Sequence, residues 1–408
     1  MSTSLLYHAF GAKNYQYLKT EFIGGKITFF IEKKRCKQRC PLCRSRNVTW
    51  EGGRNYRIRT VPIGHKPVFL DVHLKKLLCK DCDCCRQETR ELAEPRKTYT
   101  RQLARLVLDL VKVMTLQDVA NYLHLGWHLV RDIVKGSLER KEKERSWRKV
   151  RMIAIDEIAV RKGHQYMTVV VDLETGMVLE AVDGRKAECL KPVFERLKRA
   201  HAELVAVAMD MCAAFRKAVE SYWHKKVAIV HDPFHVVQAM NAVVDEVRRD
   251  EQARLDAKDK KVFKGNRFLL LKGWEKLEEE DKDGKKVNRL EAMLKLNENL
   301  YRVYLLKEDL RQIWSQANKK EAQHFLKIWI EEARGLDLAP VKRIANTIDK
   351  HKAEILSWYD FRITTGPLEG LNNKIKVLKR RAYGFRNRAF FRLLILFIHQ
   401  TKFRLNGT

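Results

Sequence analysis

Two hydrophobic periods alternate along the chain from Val150, and the switches between them predict most of its elements. Met152-Ile153-Ala154-Ile155-Asp156, Gln165-Tyr166-Met167-Thr168-Val169-Val170-Val171-Asp172 and Met177-Val178-Leu179-Glu180-Ala181-Val182 are short runs rich in β-branched residues. With the turn residues Glu174-Thr175-Gly176 before the third run, they predict an antiparallel three-strand meander. A helix over 186–199, a strand over 204–209, a helix over 213–222 and a strand over 227–230 should follow. The order β-β-β-α-β-α-β predicts an α/β sheet with strand order 3-2-1-4-5, its last two strands parallel to the first. From about Val237 to Asp360 the pattern is helical and rich in Lys and Glu, broken at Gly265, Gly273, Asp283-Gly284 and Gly335, which reads as a helical insertion.

Upstream of Pro95, the runs Ile27-Thr28-Phe29-Phe30-Ile31 and Val68-Phe69-Leu70-Asp71-Val72 alternate with cysteine pairs and basic turns, predicting a small β-rich module. Leu103, Leu106, Val107 and Leu110 then recur at helical spacing, as do Leu116, Val119, Ala120 and Leu123. After the turn at His124-Leu125-Gly126, a third helix should run from Trp127 to Gly136, closed by a charged linker over 139–149. These boundaries divide the chain into a module at 1–95, a helix-turn-helix at 96–148, a core at 149–236 and 361–408, and an insertion at 237–360.

Charge narrows the function. The 408 residues hold 82 Lys and Arg against 51 Asp and Glu, a formal net charge of +31. Such an excess favours a polyanionic partner through release of condensed counterions, and nucleic acid leads the possibilities. No apolar run approaches the roughly 20 residues that span a membrane. With no signal pattern at the N-terminus, the nine cysteines are expected in a reducing cytosol.

There, Cys40-Pro41-Leu42-Cys43 and Cys79-Lys80-Asp81-Cys82 read as two zinc knuckles, tetrahedral thiolate coordination needing pairs at this spacing. Cys36, Cys84 and Cys85 leave the ligand choice open. A module this small is expected to draw folding free energy from structural Zn2+, with no open coordination position. On the third helix of the helix-turn-helix, Trp127, His128, Arg131 and Lys135 fall on or near the solvent side, within reach of double-stranded DNA.

Carboxylates supply the chemistry. Asp156 ends the first predicted strand of the core and Asp210 the fourth, so the predicted sheet order sets them side by side, as a divalent-metal site requires. Between Phe361 and Thr408 there are eleven Lys or Arg and one acid, Glu369. In a helix from about Pro367, Leu368, Leu371, Ile375 and Leu378 form an apolar stripe, with Glu369, Asn372, Asn373, Lys376 and Arg380 on the adjoining polar face. Glu369 suits a third ligand in a site for two Mg2+ ions, one activating water or a 3′-hydroxyl and the other stabilising the departing oxygen. Lys374, Lys376, Arg380 and Arg381 would hold the DNA backbone beside them. Trp274, Trp314, Trp329 and Trp358 in the insertion are either stacking platforms for unpaired bases or, more commonly, core residues.

The ordered set of twin Cys-x2-Cys pairs, helix-turn-helix, Ile155-Asp156-Glu157, Ala208-Met209-Asp210-Met211, Asp232-Pro233-Phe234-His235-Val236-Val237, and Leu368-Glu369-Gly370-Leu371-Asn372-Asn373-Lys374-Ile375-Lys376 with Tyr383-Gly384-Phe385-Arg386-Asn387 resembles the ISL3 family of bacterial insertion-sequence transposases over nearly the whole chain. The resemblance implies an RNase H-like DDE catalytic domain with a helical insertion before the Glu, cleavage at element ends, and strand transfer by the freed 3′-hydroxyl. It implies the triad Asp156, Asp210 and Glu369 with Mg2+ or Mn2+, and supporting roles for Asp232 and His235. DNA contacts are expected from Asn373 and Arg386 as well. The partners implied are terminal inverted repeats, target DNA and a second copy of the chain, in a nucleoid-associated cytoplasmic setting. Two other readings compete: a transposase-derived repressor that has lost activity, and a general nuclease with an RNase H-like core.

Overall fold

The alternation of apolar and polar residues in the N-terminal third produces long strands rather than a minimal knuckle. In the computed structural model, which describes residues 2–161, 165–224, 226–382 and 384–398, the chain forms two compact units, one built mainly on residues up to Glu144 and the other mainly on Arg145–Arg380.

The first unit opens with α1 (Ser2–Phe10), a helix the sequence patterning did not reveal, followed by β1 (Tyr15–Ile23), β2 (Lys26–Lys33), β3 (Val48–Ile63), β4 (Lys66–Cys79) and β5 (Cys85–Gln87). Four strands lie in the order β1-β2-β4-β3, and β5 also pairs with β4. Phe10, Ile27, Ile31, Ile58, Val68, Leu70 and Val72 make a dry core on this sheet. The expectation of a module with little core is therefore corrected: alternate residues of β2, β3 and β4 supply one, well away from the cysteines.

Next come α2 (Arg101–Leu110), α3 (Leu116–Tyr122) and α4 (Trp127–Lys143). Thr115 and Asp118 start α3 with a reciprocal capping box, each side chain accepting from the other's backbone N–H. Helix α4 does not stop at Gly136. Ser137 and Leu138 continue the buried face of Val130, Ile133 and Val134, and this packing outweighs the roughly 1 kcal/mol propensity penalty of one interior glycine. The first part of the predicted charged linker, as far as Lys143, is thus helical.

The second unit contains β6 (Met152–Arg161), β7 (Gln165–Asp172), β8 (Val178–Asp183), α5 (Lys191–Arg199), β9 (Ala206–Met209), α6 (Ala213–Trp223) and β10 (Ala228–His231). Their order across the sheet is β10-β9-β6-β7-β8. Strands β6, β7 and β8 pair antiparallel, while β9 pairs parallel to both β6 and β10. This is the expected RNase H-like α/β arrangement. Gly176 takes a left-handed φ of 69° in the β7–β8 turn, where an L side chain would be strained. One sheet face, with Ile153, Ile155, Leu179, Val207 and Met209, packs with Phe194 of α5 and Phe215 of α6.

Helix α7 (Pro233–Arg254) starts immediately after β10, so the predicted insertion boundary at Val237 falls inside a helix. It is followed by α8 (Ala257–Phe263), α9 (Arg267–Leu271), α10 (Trp274–Glu280), α11 (Lys285–Lys295), α12 (Glu298–Arg311), α13 (Lys319–Gly335), α14 (Ala339–Lys350), α15 (Lys352–Leu356) and α16 (Trp358–Phe361). These helices enclose their own core, in which Val236, Met240 and Val244 of α7 meet Leu300, Tyr304 and Trp329. The chain ends its described part with α17 (Gly366–Arg381) and α18 (Arg388–Leu396). No helix among the described residues is long and apolar enough to cross a membrane.

Candidate active site and zinc module

Asp156 does not end its strand. Strand β6 runs on to Arg161 because β7 pairs with it along that length, Asp156 lying opposite Val169. The parallel partner β9 stops at Met209, however, and the last β6–β9 pair is Ala154 with Ala208. Asp156 and Asp210 each lie two residues beyond that pair, so both carboxylates stand where the parallel ladder ends. Burial raises the Asp210 carboxyl above its ordinary range, His235 nearby opposes that shift, and Asp156 adds to it.

Strand alternation turns Asp156 away from the face that carries Ile155. There it meets α17. Asn372 Nδ2 donates to Asp156 Oδ2 at 2.7 Å, and the Glu157 backbone N–H donates to Oδ1 at 2.7 Å. Lys379 Nζ donates to the Ala159 carbonyl at 3.3 Å, so the helix follows β6 for two turns. Leu368, Leu371 and Ile375 are the buried stripe expected from the pattern. Asn372, assigned to the polar face, is instead buried, because it lies on the border between stripe and carboxylate. Glu369, one turn earlier on the same side, is exposed.

Asp232 fixes where α17 begins. Its Oδ1 caps α7 by accepting from Phe234 N at 2.8 Å, and its Oδ2 accepts from both the backbone N–H and the hydroxyl of Thr365. The residue is 2% exposed. One carboxylate thereby ties the first turn of α7 to the residue preceding α17. His235, on the first turn of α7, lies near Asp210. Replacing Asp232 with Ala should leave the Thr365 N–H without a partner in a buried setting and destabilise the unit by about 1–3 kcal/mol. Thermal unfolding of the variant would measure this.

Glu157 adjoins Asp156 on β6. Its carboxyl is raised by burial, and Asp210 and Asp156 push the same way. Among the described residues, no Lys or Arg forms an ion pair with Asp156, Asp210 or Glu369. Asp156 and Asp210, with no Lys or Arg ion pair, are a hard, oxygen-rich donor set, and they fit a divalent ion such as Mg2+.

The four cysteines of the twin knuckles converge. One sulfur from each of Cys40, Cys43, Cys79 and Cys82 lies within 4.8 Å of the others, the spacing a tetrahedral zinc site needs. The backbone N–H of Cys43, with that of Leu42, lowers the Cys40 thiol to about 6, favouring the thiolate that binds metal. Cys84 Sγ is 3.3 Å from both Cys40 Sγ and Cys82 Sγ, a fifth thiol at the rim.

On α4, Trp127 and His128 are exposed and pack edge to face at 5.2 Å, and the Arg131 guanidinium lies 5.4 Å from the Trp127 ring. Lys135 pairs loosely with Glu139 at 3.7 Å. Asn373, Lys374, Lys376, Arg380 and Arg381 are exposed on α17, and Arg386 is exposed in the segment before α18. Tyr383 of the quoted C-terminal motif lies outside the described residues. Trp329 is buried with its Nε1–H on the Leu306 carbonyl at 2.8 Å, and Trp274 and Trp314 pack against the same core, so these three serve packing.

Residues 37–82 match the zinc-finger family of IS204/IS1001/IS1096/IS1165 transposases, and residues 88–136 match the helix-turn-helix domain of transposase family ISL3. The transposase for insertion sequence element IS1001 from Bordetella parapertussis is 32% identical over 91% of this chain and 91% of its own length. That for element IS1557 from Mycobacterium tuberculosis is 27% identical over 86% of this chain and 83% of its own length. Among solved structures, the Drosophila P element transposase strand transfer complex matches with a TM-score of 0.40 at 12% identity, over 74% of this chain and 92% of the other. Residues 153–395, more than half of the chain, match the ISL3 DDE transposase family, and the chain belongs to it: a DNA-binding DDE transposase with a structural zinc ribbon.

Proposed function

We propose that the protein cuts DNA at the terminal inverted repeats of its insertion sequence and joins the freed 3′ ends to a target, with Asp156, Asp210 and Glu369 as the ligands of two divalent ions. The observation that carries this reading is the meeting of α17 with the carboxylate pair: Asn372 holds Asp156, while Asp232 holds the residue that precedes the helix. Glu369 is therefore delivered on a helix anchored at both points. When bound, Mg2+ or Mn2+ supplies the activation of the attacking oxygen and the stabilisation of the leaving one.

The chain's own groups do the rest. Asn372 donates to one oxygen of Asp156 and the Glu157 N–H to the other, fixing the carboxylate's orientation. His235 lies beside Asp210 on the first turn of α7, in a supporting position. Lys374, Lys376, Arg380, Arg381 and Arg386 would neutralise phosphates of the strand being cut, with Asn373 adding a neutral donor. Trp127, His128, Arg131 and Lys135 on α4 would read or clamp the repeat, and the zinc ribbon would add contacts beside it. Two ends must be cut and joined together, which calls for at least a homodimer on DNA, in the bacterial cytosol at the nucleoid.

The test is incubation of purified protein with Mg2+ and labelled DNA carrying the repeats that flank its coding sequence. Nicks at the repeat boundaries are expected. Lys374→Ala/Lys376→Ala should weaken binding about equally on all sequences and flatten its salt dependence by about 2 in slope. Binding without nicking would favour a repressor, and nicking without regard to the repeats a general nuclease.

A further inference from the structure

Behind the carboxylates, in the same unit, lies a buried cluster that the transposase reading does not use. His231 closes β10 in register with Met209, the residue before Asp210. Its ring is fully buried, a setting that disfavours a charged imidazole. Its Nδ1 faces the Met209 carbonyl at 3.4 Å, and its Nε2 faces His351 Nδ1 at 3.2 Å. His351 sits between α14 and α15, itself 6% exposed. Glu354, in the first turn of α15, directs Oε1 to Arg216 Nη2 at 2.7 Å, while its Oε2 is buried with no hydrogen-bond partner.

Protons alone do not satisfy this arrangement. A neutral imidazole carries one N–H. With that hydrogen on His231 Nδ1 for the Met209 carbonyl, Nε2 presents a bare lone pair. His351 Nδ1 also faces Arg216 Nη1, at 3.4 Å, and a guanidinium only donates, so this nitrogen must present a lone pair as well. Two lone pairs then oppose each other across 3.2 Å, beside a bare carboxylate oxygen, in a dry interior. A proton on His351 Nδ1 would satisfy His231 Nε2, yet it would set an N–H against that of Arg216 and still leave Glu354 Oε2 without a partner.

A bound cation satisfies all three donors together. Two nitrogens on a tetrahedral zinc ion at its usual bond lengths stand about 3.3 Å apart. One ligand atom from each of His231, His351 and Glu354 lies within 4.8 Å of the others. We propose that His231, His351 and Glu354 form a second transition-metal site, of zinc type by its two imidazoles and one carboxylate, separate from the cysteine ribbon and from the Asp156–Asp210 pair. The His231 Nδ1–H on the Met209 carbonyl is then the outer hydrogen bond that orients a metal-bound imidazole. Arg216 is no obstacle, since Glu220 at 2.9 Å and Glu354 already balance its charge. The ion clamps α15 of the helical insertion onto the edge of the sheet, next to Asp210 and Asp232.

Metal content tests this on the full-length protein, purified without chelator and freed of loosely held ions by gel filtration. Elemental analysis should give two zinc ions per chain for wild type, and one for His351→Ala and for Glu354→Gln. The isosteric Glu354→Gln decides the matter if His351→Ala fails to fold. Cobalt substitution provides a second readout: visible d–d absorption from a site without thiolates should accompany the thiolate charge-transfer bands of the ribbon, and Glu354→Gln should remove the former alone. One zinc per chain in wild type, or two retained in Glu354→Gln, would overturn the proposal.

Discussion

Stripping zinc from this transposase should melt one end of its N-terminal sheet and leave the rest standing. The amides of Cys40, Arg44 and Cys79 are held by backbone bonds inside the cysteine cluster: Cys40 N on Ser45, Arg44 N on Cys40 and Cys79 N on Cys84. None of the cysteines belongs to the core around Ile31, Val68 and Leu70. Structural zinc contributes an apparent 10 to 16 kcal/mol, roughly, in small zinc-binding peptides. Losing it should therefore drop hydrogen-exchange protection at these three amides to the level of exposed loops, while Ile31 and Leu70 stay protected. Cys43→Ser should behave like chelation. Cys84→Ser should not, because its sulfur lies outside the two matched pairs.

Loss of any one carboxylate of the proposed triad should have the largest effect on activity. Asp156→Asn, Asp210→Asn and Glu369→Gln each remove a charge from a site with no Lys or Arg partner to leave stranded, so folding should change little. Nicking should fall by about 10³-fold or more, the scale of losing a preorganised electrostatic group at the reacting centre. Repeat binding should persist, because α4 and the zinc ribbon belong to other parts of the chain. Single-turnover nicking alongside gel-shift binding separates the two quantities. Double substitutions should cost little more than single ones if the three ligands act as a unit.

Local patterning made much of this legible. Ile153 and Ile155 alternate with Ala154 and Asp156, and that β-branched run predicted which strand carries the first acid. The stripe of Leu368, Leu371 and Ile375 predicted the helix that bears Glu369. Misreadings arose where packing overrode a local signal: Gly136 looks like a helix stop until Leu138 is seen to be buried, and Asp156 looks terminal until β7 extends the strand. Long-range polar contacts have no period at all. Asp232 reaches Thr365 across 133 residues and His231 reaches His351 across 120, and no spacing rule pairs them. The role proposed for Glu369 came from its place after two strand-end acids and from the ISL3 motifs together, since its surroundings in sequence only marked it as unusual.

Asp210, rather than the conspicuous Asp232, is the residue proposed to bind the catalytic metal. Metal-dependent rescue of a thiolate variant tests it most directly: nicking by Asp210→Cys and Asp232→Cys, each assayed in Mg2+ and in Mn2+. A softer thiolate ligand accepts Mn2+ more readily than hard Mg2+. Asp210→Cys should be silent in Mg2+ and recover measurably in Mn2+, whereas Asp232→Cys should show no metal preference beyond that of wild type. Rescue of Asp232→Cys by Mn2+, together with wild-type nicking by Asp210→Cys in Mg2+, would contradict the assignment.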